Sequence, residues 1–101
     1  MEFLTEHNSR ELYLARSVLH GSLLQPDGNW EKREADLNDN IGADDTGFAL
    51  GGSCWFHHAS HCTTFLQGYK LKTVFKDVGL RTLGLRLILK NKGGYFHFTK
   101  L

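Results

Sequence analysis

One hundred and one residues, 41% of them hydrophobic and 12% aromatic, suffice for one packed domain and are too few for two independent cores. The 23% charged fraction excludes both a disordered tail and a membrane body. A formal charge of +1, from 12 basic and 11 acidic residues, excludes the strong field that steers a protein to nucleic acid or to an anionic bilayer, so neither partner is expected.

In chain order, the opening Met-Glu-Phe-Leu-Thr-Glu-His has no basic region and no apolar stretch of the roughly 7–15 residues a secretory leader needs. That predicts a cytoplasmic protein, or a secreted one if a leader has been removed. Val18 to Leu24 is apolar and β-prone. Pro26-Asp27-Gly28-Asn29 then supplies a preset φ and a glycine for the left-handed region, and Trp30 to Ala35 reads as the return strand of a hairpin. Asp36-Leu37-Asn38-Asp39-Asn40-Ile41 offers capping side chains around two apolar anchors and predicts a short helical turn. Phe48 to Leu50 is a short strand, and Gly51-Gly52-Ser53 a flexible hinge without proline. Leu71 to Phe75, the turn Lys76-Asp77-Val78-Gly79 and Leu80 to Leu83 retrace the first hairpin, and Tyr95 to Phe98 closes the chain. The apolar run Leu83 to Leu89 is broken by Arg86 and is far shorter than the roughly 20 residues that span a bilayer. Lys70, Lys72, Lys76, Arg81, Arg86, Lys90, Lys92 and Lys100 bias the second half toward positive charge, which reads first as solvated strand faces.

These elements repeat. An advance of 52 positions carries Phe3 onto Trp55, Leu14 onto Leu66, Leu19 onto Leu71 and Leu23 onto Phe75. Past the central turn the advance becomes 48 and carries Ala35 onto Leu83, Leu37 onto Leu85 and Ile41 onto Leu89. Neither half, approximately 1–50 and 51–101, has enough apolar residues to fold alone, so the expectation is one pseudo-symmetric domain over 1–101 whose halves bury their faces on each other. Trp30 and Trp55 are assigned to its interior, with Phe3 at the place equivalent to Trp55.

The order Asp27-Gly28-Asn29-Trp30, Asp36-Leu37-Asn38, Ile41-Gly42, Gly47-Phe48 and Gly51-Gly52-Ser53 resembles the cyanovirin-N homology family, and the resemblance covers Phe3 to Phe98. It implies an all-β fold of two intertwined repeats, each a three-stranded sheet plus a β-hairpin, with short helical turns. It also implies a non-catalytic lectin for mannose-type oligosaccharides or glycoproteins, existing as a monomer or a domain-swapped dimer, with no cofactor and no metal. The implied sugar site gathers Glu2, Thr5 and Glu6, the hairpin at Gln25, Pro26 and Asp27, and the loop at Asn91, Lys92 and Gly93. A second, weaker site draws on Ser53, His57 and His58, on Lys76, Asp77 and Val78, and on Gly42, Ala43 and Asp44. Departures weaken the second site: Ala43 replaces the asparagine of the I-G-N motif, and the turn after Phe75 lacks the tryptophan. Leu23 and Phe75 stand where many members have cysteines, so apolar packing must replace the paired disulfides. Carboxylates, amides and exposed backbone groups suit the adjacent hydroxyls of a neutral sugar, although polar residues in turns also serve the turn itself.

Two other readings compete. Cys54, His57, His58, His61 and Cys62 have spacings that would share one face of a helix and could hold zinc, or form a polar helical turn with a buried cysteine. Two cysteines eight residues apart are too few for a disulfide scaffold and favour a reducing compartment, while leaving one bond between them open. No nucleophile elbow, phosphate-binding loop or dinucleotide fingerprint is present, so no catalysis is expected. The remaining alternative is a lectin-like scaffold that has lost sugar binding and makes protein contacts.

Overall fold

The structure, a computed structural model, describes residues 2–99; Lys100, the last of the basic series, lies outside the described residues. Among the described residues eleven strands follow one another: β1 (Glu2–Phe3), β2 (Ser9–Ala15), β3 (Val18–Leu24), β4 (Trp30–Asp36), β5 (Ile41–Asp44), β6 (Gly47–Leu50), β7 (Ala59–Gln67), β8 (Lys70–Phe75), β9 (Gly79–Gly84), β10 (Leu89–Lys92) and β11 (Tyr95–Phe98). Short 3₁₀ turns interrupt them at Leu37–Asp39, Trp55–His58 and Leu85–Leu87. β2-β3-β4 and β7-β8-β9 are antiparallel sheets, β5-β6 is a hairpin, and β1-β10-β11 joins the first residues of the chain to the last hairpin. The fold is all-β, as expected.

Hydrogen bonds recur from one half to the other. Leu37 N donates to Ser17 O at 2.9 Å where β4 hands over to its 3₁₀ turn, and Leu85 N donates to Tyr69 O at 2.8 Å after β9. Leu24 N donates to Asn8 O at the end of β3, and Lys76 N to His58 O at the end of β8. Leu19 and Leu71, Leu23 and Phe75, Leu37 and Leu85, and Ile41 and Leu89 are all buried in a single cluster with Leu4, Trp55, Phe56 and Ile88. The core therefore lies between the halves. At its edge Tyr69 Oη, from the second half, sits 3.1 Å from Ser9 Oγ of the first. Leu23 and Phe75 fill that core, which is the apolar packing expected in place of disulfides.

Several local expectations are corrected. Trp55 is fully buried, its Nε1 donating to buried Thr73 Oγ1 at 3.0 Å. Trp30 is only half-buried; it lies on the outer sheet face with the Arg10 guanidinium 4.1 Å from its ring centre. Phe3 is 41% exposed, because β1 presents it outward while the next residue, Leu4, drops into the core. The helical turn expected to reach Ile41 stops at Asp39, and Ile41 already pairs with Leu50. The helical run through Cys54–Cys62 is also overturned. Only Trp55–His58 is helical, and Ala59 begins β7, whose irregular register toward Thr64 holds His61 and Cys62 at positive φ. Both cysteines are free and exposed. Among the described residues no group of three His, Cys, Asp or Glu is placed to hold a metal. The Gly51-Gly52-Ser53 segment is not a loose linker: Gly51 N donates to Asn40 O, and a Cβ on Gly42 would lie 2.8 Å from Ser53 N.

Candidate functional site

At one end of the molecule the loop before β2, the β3–β4 turn and the β10–β11 turn meet around an open depression of about 250 Å³, lined by Glu2, Asn8, Leu24, Gln25, Pro26, Asn91, Gly93 and Gly94. β1 brings Glu2 there by pairing it with Asn91. Asn91 then clips the three segments together. Its Nδ2 donates to Asn8 O at 3.0 Å and to Leu24 O at 2.9 Å, and its Oδ1 accepts from Gly94 N at 2.9 Å. Gln25 Nε2 donates to Leu23 O and to Gly94 O, so a second amide ties the hairpin of the first half to the last turn of the chain.

Arg33 completes this scaffold. It reaches from β4 to donate through Nε to Gly94 O at 3.2 Å and through Nη2 to Gln25 Oε1 at 3.3 Å, with its guanidinium 4.4 Å from the Tyr95 ring centre. At the other end Arg81 on β9 donates through Nε to Thr46 O at 3.2 Å, which pins the β5–β6 turn in the same way. Arg33 and Asn8 fall outside every motif in the sequence, and Arg81 stands out there only as one of the basic series. The 48-residue advance that links β4 to β9 carries Arg33 onto Arg81, and that was the available signal.

Of the residues expected at the first site, Glu2, Gln25, Pro26, Asn91 and Gly93 line the depression and Thr5, Glu6, Asp27 and Lys92 do not. Thr5 organises its own turn: its O accepts from Ser9 N and its Oγ1 from His7 N. Asp27 accepts from Asn29 N through Oδ1 at 3.0 Å, closing the β3–β4 turn. Glu6 accepts from Arg86 Nη2 at 2.6 Å. A hydrogen bond from its own backbone amide, and then the Arg86 guanidinium, hold the exposed Glu6 carboxyl below the usual carboxylate range.

The second end is built differently. Ala43 occupies the place of Asn91 and has no amide to join His58 and Lys76 to the β5–β6 turn. Lys76 Nζ instead donates to His57 O at 3.4 Å. His57 and Lys76 line an open groove of about 610 Å³, whereas Gly42, Ala43, Asp44, Ser53, His58, Asp77 and Val78 are not among its lining residues. Asp44 caps its own hairpin, accepting from Thr46 Oγ1 at 2.7 Å and Thr46 N at 2.8 Å, and those bonds, the hydroxyl first, hold its carboxyl low.

No protein-family model matches the chain, and no curated protein matches it. Solved structures do. The cyanovirin-N homolog of T. borchii matches with a TM-score of 0.80 and 24% identity over 98% of this chain and 100% of that one. A MoCVNH3 variant in complex with (N-GlcNAc)4 matches at 0.84 and 13% identity, again over 98% and 100%. The Gibberella zeae homolog matches at 0.71 and 21% identity over 91% and 94%. The chain has the cyanovirin-N homolog fold.

Proposed function

We propose that this chain, with the cyanovirin-N homolog fold over 98% of its length, is a lectin of that family that binds neutral oligosaccharides of the mannose type without catalysis. The observation that carries the reading is the meeting of three chain-distant segments at the Glu2, Gln25 and Asn91 depression. A structural neighbour in complex with (N-GlcNAc)4 supports glycan binding on this scaffold.

The chemistry narrows which groups act. The Asn91 and Gln25 amides are spent on the scaffold, so they are positioning residues. The groups left to bracket sugar hydroxyls are the exposed Glu2 carboxylate, the backbone of the Gly93-Gly94 turn, and Pro26 as an apolar surface for a sugar C–H face. Each hydrogen bond exchanged with water contributes only about 0.5–1.5 kcal/mol, so a single open site binds weakly.

The free, exposed Cys54 and Cys62 support work in a reducing compartment. A glycan array carrying oligomannosides and N-acetylglucosamine oligomers tests the reading. Binding to mannosides, weakened about fivefold to tenfold by Glu2→Ala, is expected from the loss of about one charge-assisted hydrogen bond. Silence across the array would leave a scaffold without sugar binding.

A further inference from the structure

The groove of about 610 Å³ at the second end is lined by Arg16, Phe56, His57, Ala59, Ser60, His61, Cys62 and Lys76, and no Asp or Glu is among these residues. Among the described residues the ion pairs are His20–Glu34 and Arg86–Glu6, so Arg16 and Lys76 have no carboxylate within salt-bridge distance. Arg16 projects from the β2–β3 turn with its guanidinium 5.4 Å from the Phe56 ring centre. Among the described residues the Lys76 ammonium reaches only the His57 carbonyl.

The opposite end of the molecule gives the comparison. There Arg86 lies 4.0 Å from the Tyr69 ring centre, also beside the turn between two long strands, and the Glu6 carboxylate neutralises it at 2.6 Å. Glu6 comes from the loop between β1 and β2. The loop before β7 that faces Arg16 is Cys54-Trp55-Phe56-His57-His58, which contains no acid. An arginine laid over an aromatic ring thus has its anion built in at one end and lacks it at the other. Two fixed positive charges with unused donors, beside the Ser60 hydroxyl and two imidazoles, favour a planar or tetrahedral oxyanion.

We propose that the Arg16–Lys76 groove binds an oxyanion substituent, a sulfate ester or a carboxylate, on an acidic sugar chain. This rests on the lectin reading only in taking a sugar as the bearer of the anion. It makes the second end a site for charged glycans, where the first takes neutral ones.

The test is calorimetric titration of the whole protein at low ionic strength with a sulfated heparin-type hexasaccharide, its desulfated counterpart with every uronate carboxyl reduced to the alcohol, and a single-stranded oligonucleotide of matched charge. The sulfated sugar is expected to bind, the desulfated one to bind at least tenfold more weakly, and Arg16→Gln and Lys76→Gln each to weaken the sulfated sugar about tenfold. Both side chains are exposed, and unchanged melting curves verify that the variants fold. In a Cys54→Ser background, inorganic sulfate is expected to slow alkylation of Cys62 by iodoacetamide. No binding of the sulfated sugar, equal binding of the desulfated one, or indifference to both substitutions would overturn the groove. Equally tight binding of the oligonucleotide would overturn the sugar as bearer. If oligomannosides bind nowhere while the sulfated sugar binds through Arg16 and Lys76, the neutral-sugar reading fails and the groove stands. The reverse result removes the groove alone.

Discussion

Asn91 spends its whole amide inside the protein, on Asn8 O, Leu24 O and Gly94 N. Asn91→Ala is expected to lower stability by about 1–3 kcal/mol in a urea melt, since half-buried backbone groups lose their partners. It should also weaken glycan binding more than Glu2→Ala, because the three segments come apart. Gly94 is buried at φ 91°, and a Cβ there would collide with the Gln25 side-chain amide. Gly94→Ala should cost about 1–3 kcal/mol, with part of the loss relieved in a Gln25→Ala background and part, the backbone strain, remaining. Glu6 and Asp44 have folded pKa values below their ordinary ones. Such groups stabilise the fold above the unfolded pKa and lose that contribution as the pH falls through the folded one. The melting temperature should therefore decline on acidification below about pH 4.5, the ordinary carboxylate region. Carbon-detected NMR of the Glu6 carboxyl should show a low midpoint that Arg86→Gln raises only part of the way, because the backbone hydrogen bond is the larger cause.

Among the elements, the hairpins of β3–β4 and β8–β9 were legible because an apolar, β-prone run meets turn chemistry in each. So was the capped 3₁₀ turn, where Asp36 Oδ1 accepts from Asn38 N. β2 and β7 were not. Each carries an irregular register against its neighbour, between Arg10 and Tyr13 and between Ala59 and Thr64, so the period of two breaks mid-strand. The same irregularity explains the mistaken helical face, since Cys54 to Cys62 shows helical spacing only when the bulge is ignored. Trp55 sits just before β7 and is held by β8: Thr73 Oγ1 accepts from its indole and lies 2.8 Å from Thr64 Oγ1 of β7. Thr73→Val keeps the volume and removes the acceptor, so it should destabilise by about 1–3 kcal/mol in a denaturant melt. Thr64→Val should cost less, because the indole keeps its partner.

Across the whole molecule, which measures 45 × 24 × 17 Å, each end is assembled from both halves of the chain. The last hairpin completes the first half's end, where Gly94 O meets Arg33 and Gln25, and the β5–β6 hairpin reaches Arg81 of the second half. The recurrence of leucines and aromatics made the pairing of the halves legible. The division of labour at the site was not legible, because whether an Asn or Gln faces a ligand or its own backbone depends on which chain-distant carbonyls arrive beside it. Heteronuclear NMR of the labelled protein titrated with a neutral oligomannoside tests the central claim most directly. The account expects amide shifts confined to Glu2, Asn8, Leu24, Gln25, Asn91, Gly93 and Gly94. Saturation of the sugar with those amides unmoved, or with shifts on the open sheet faces instead, would contradict it.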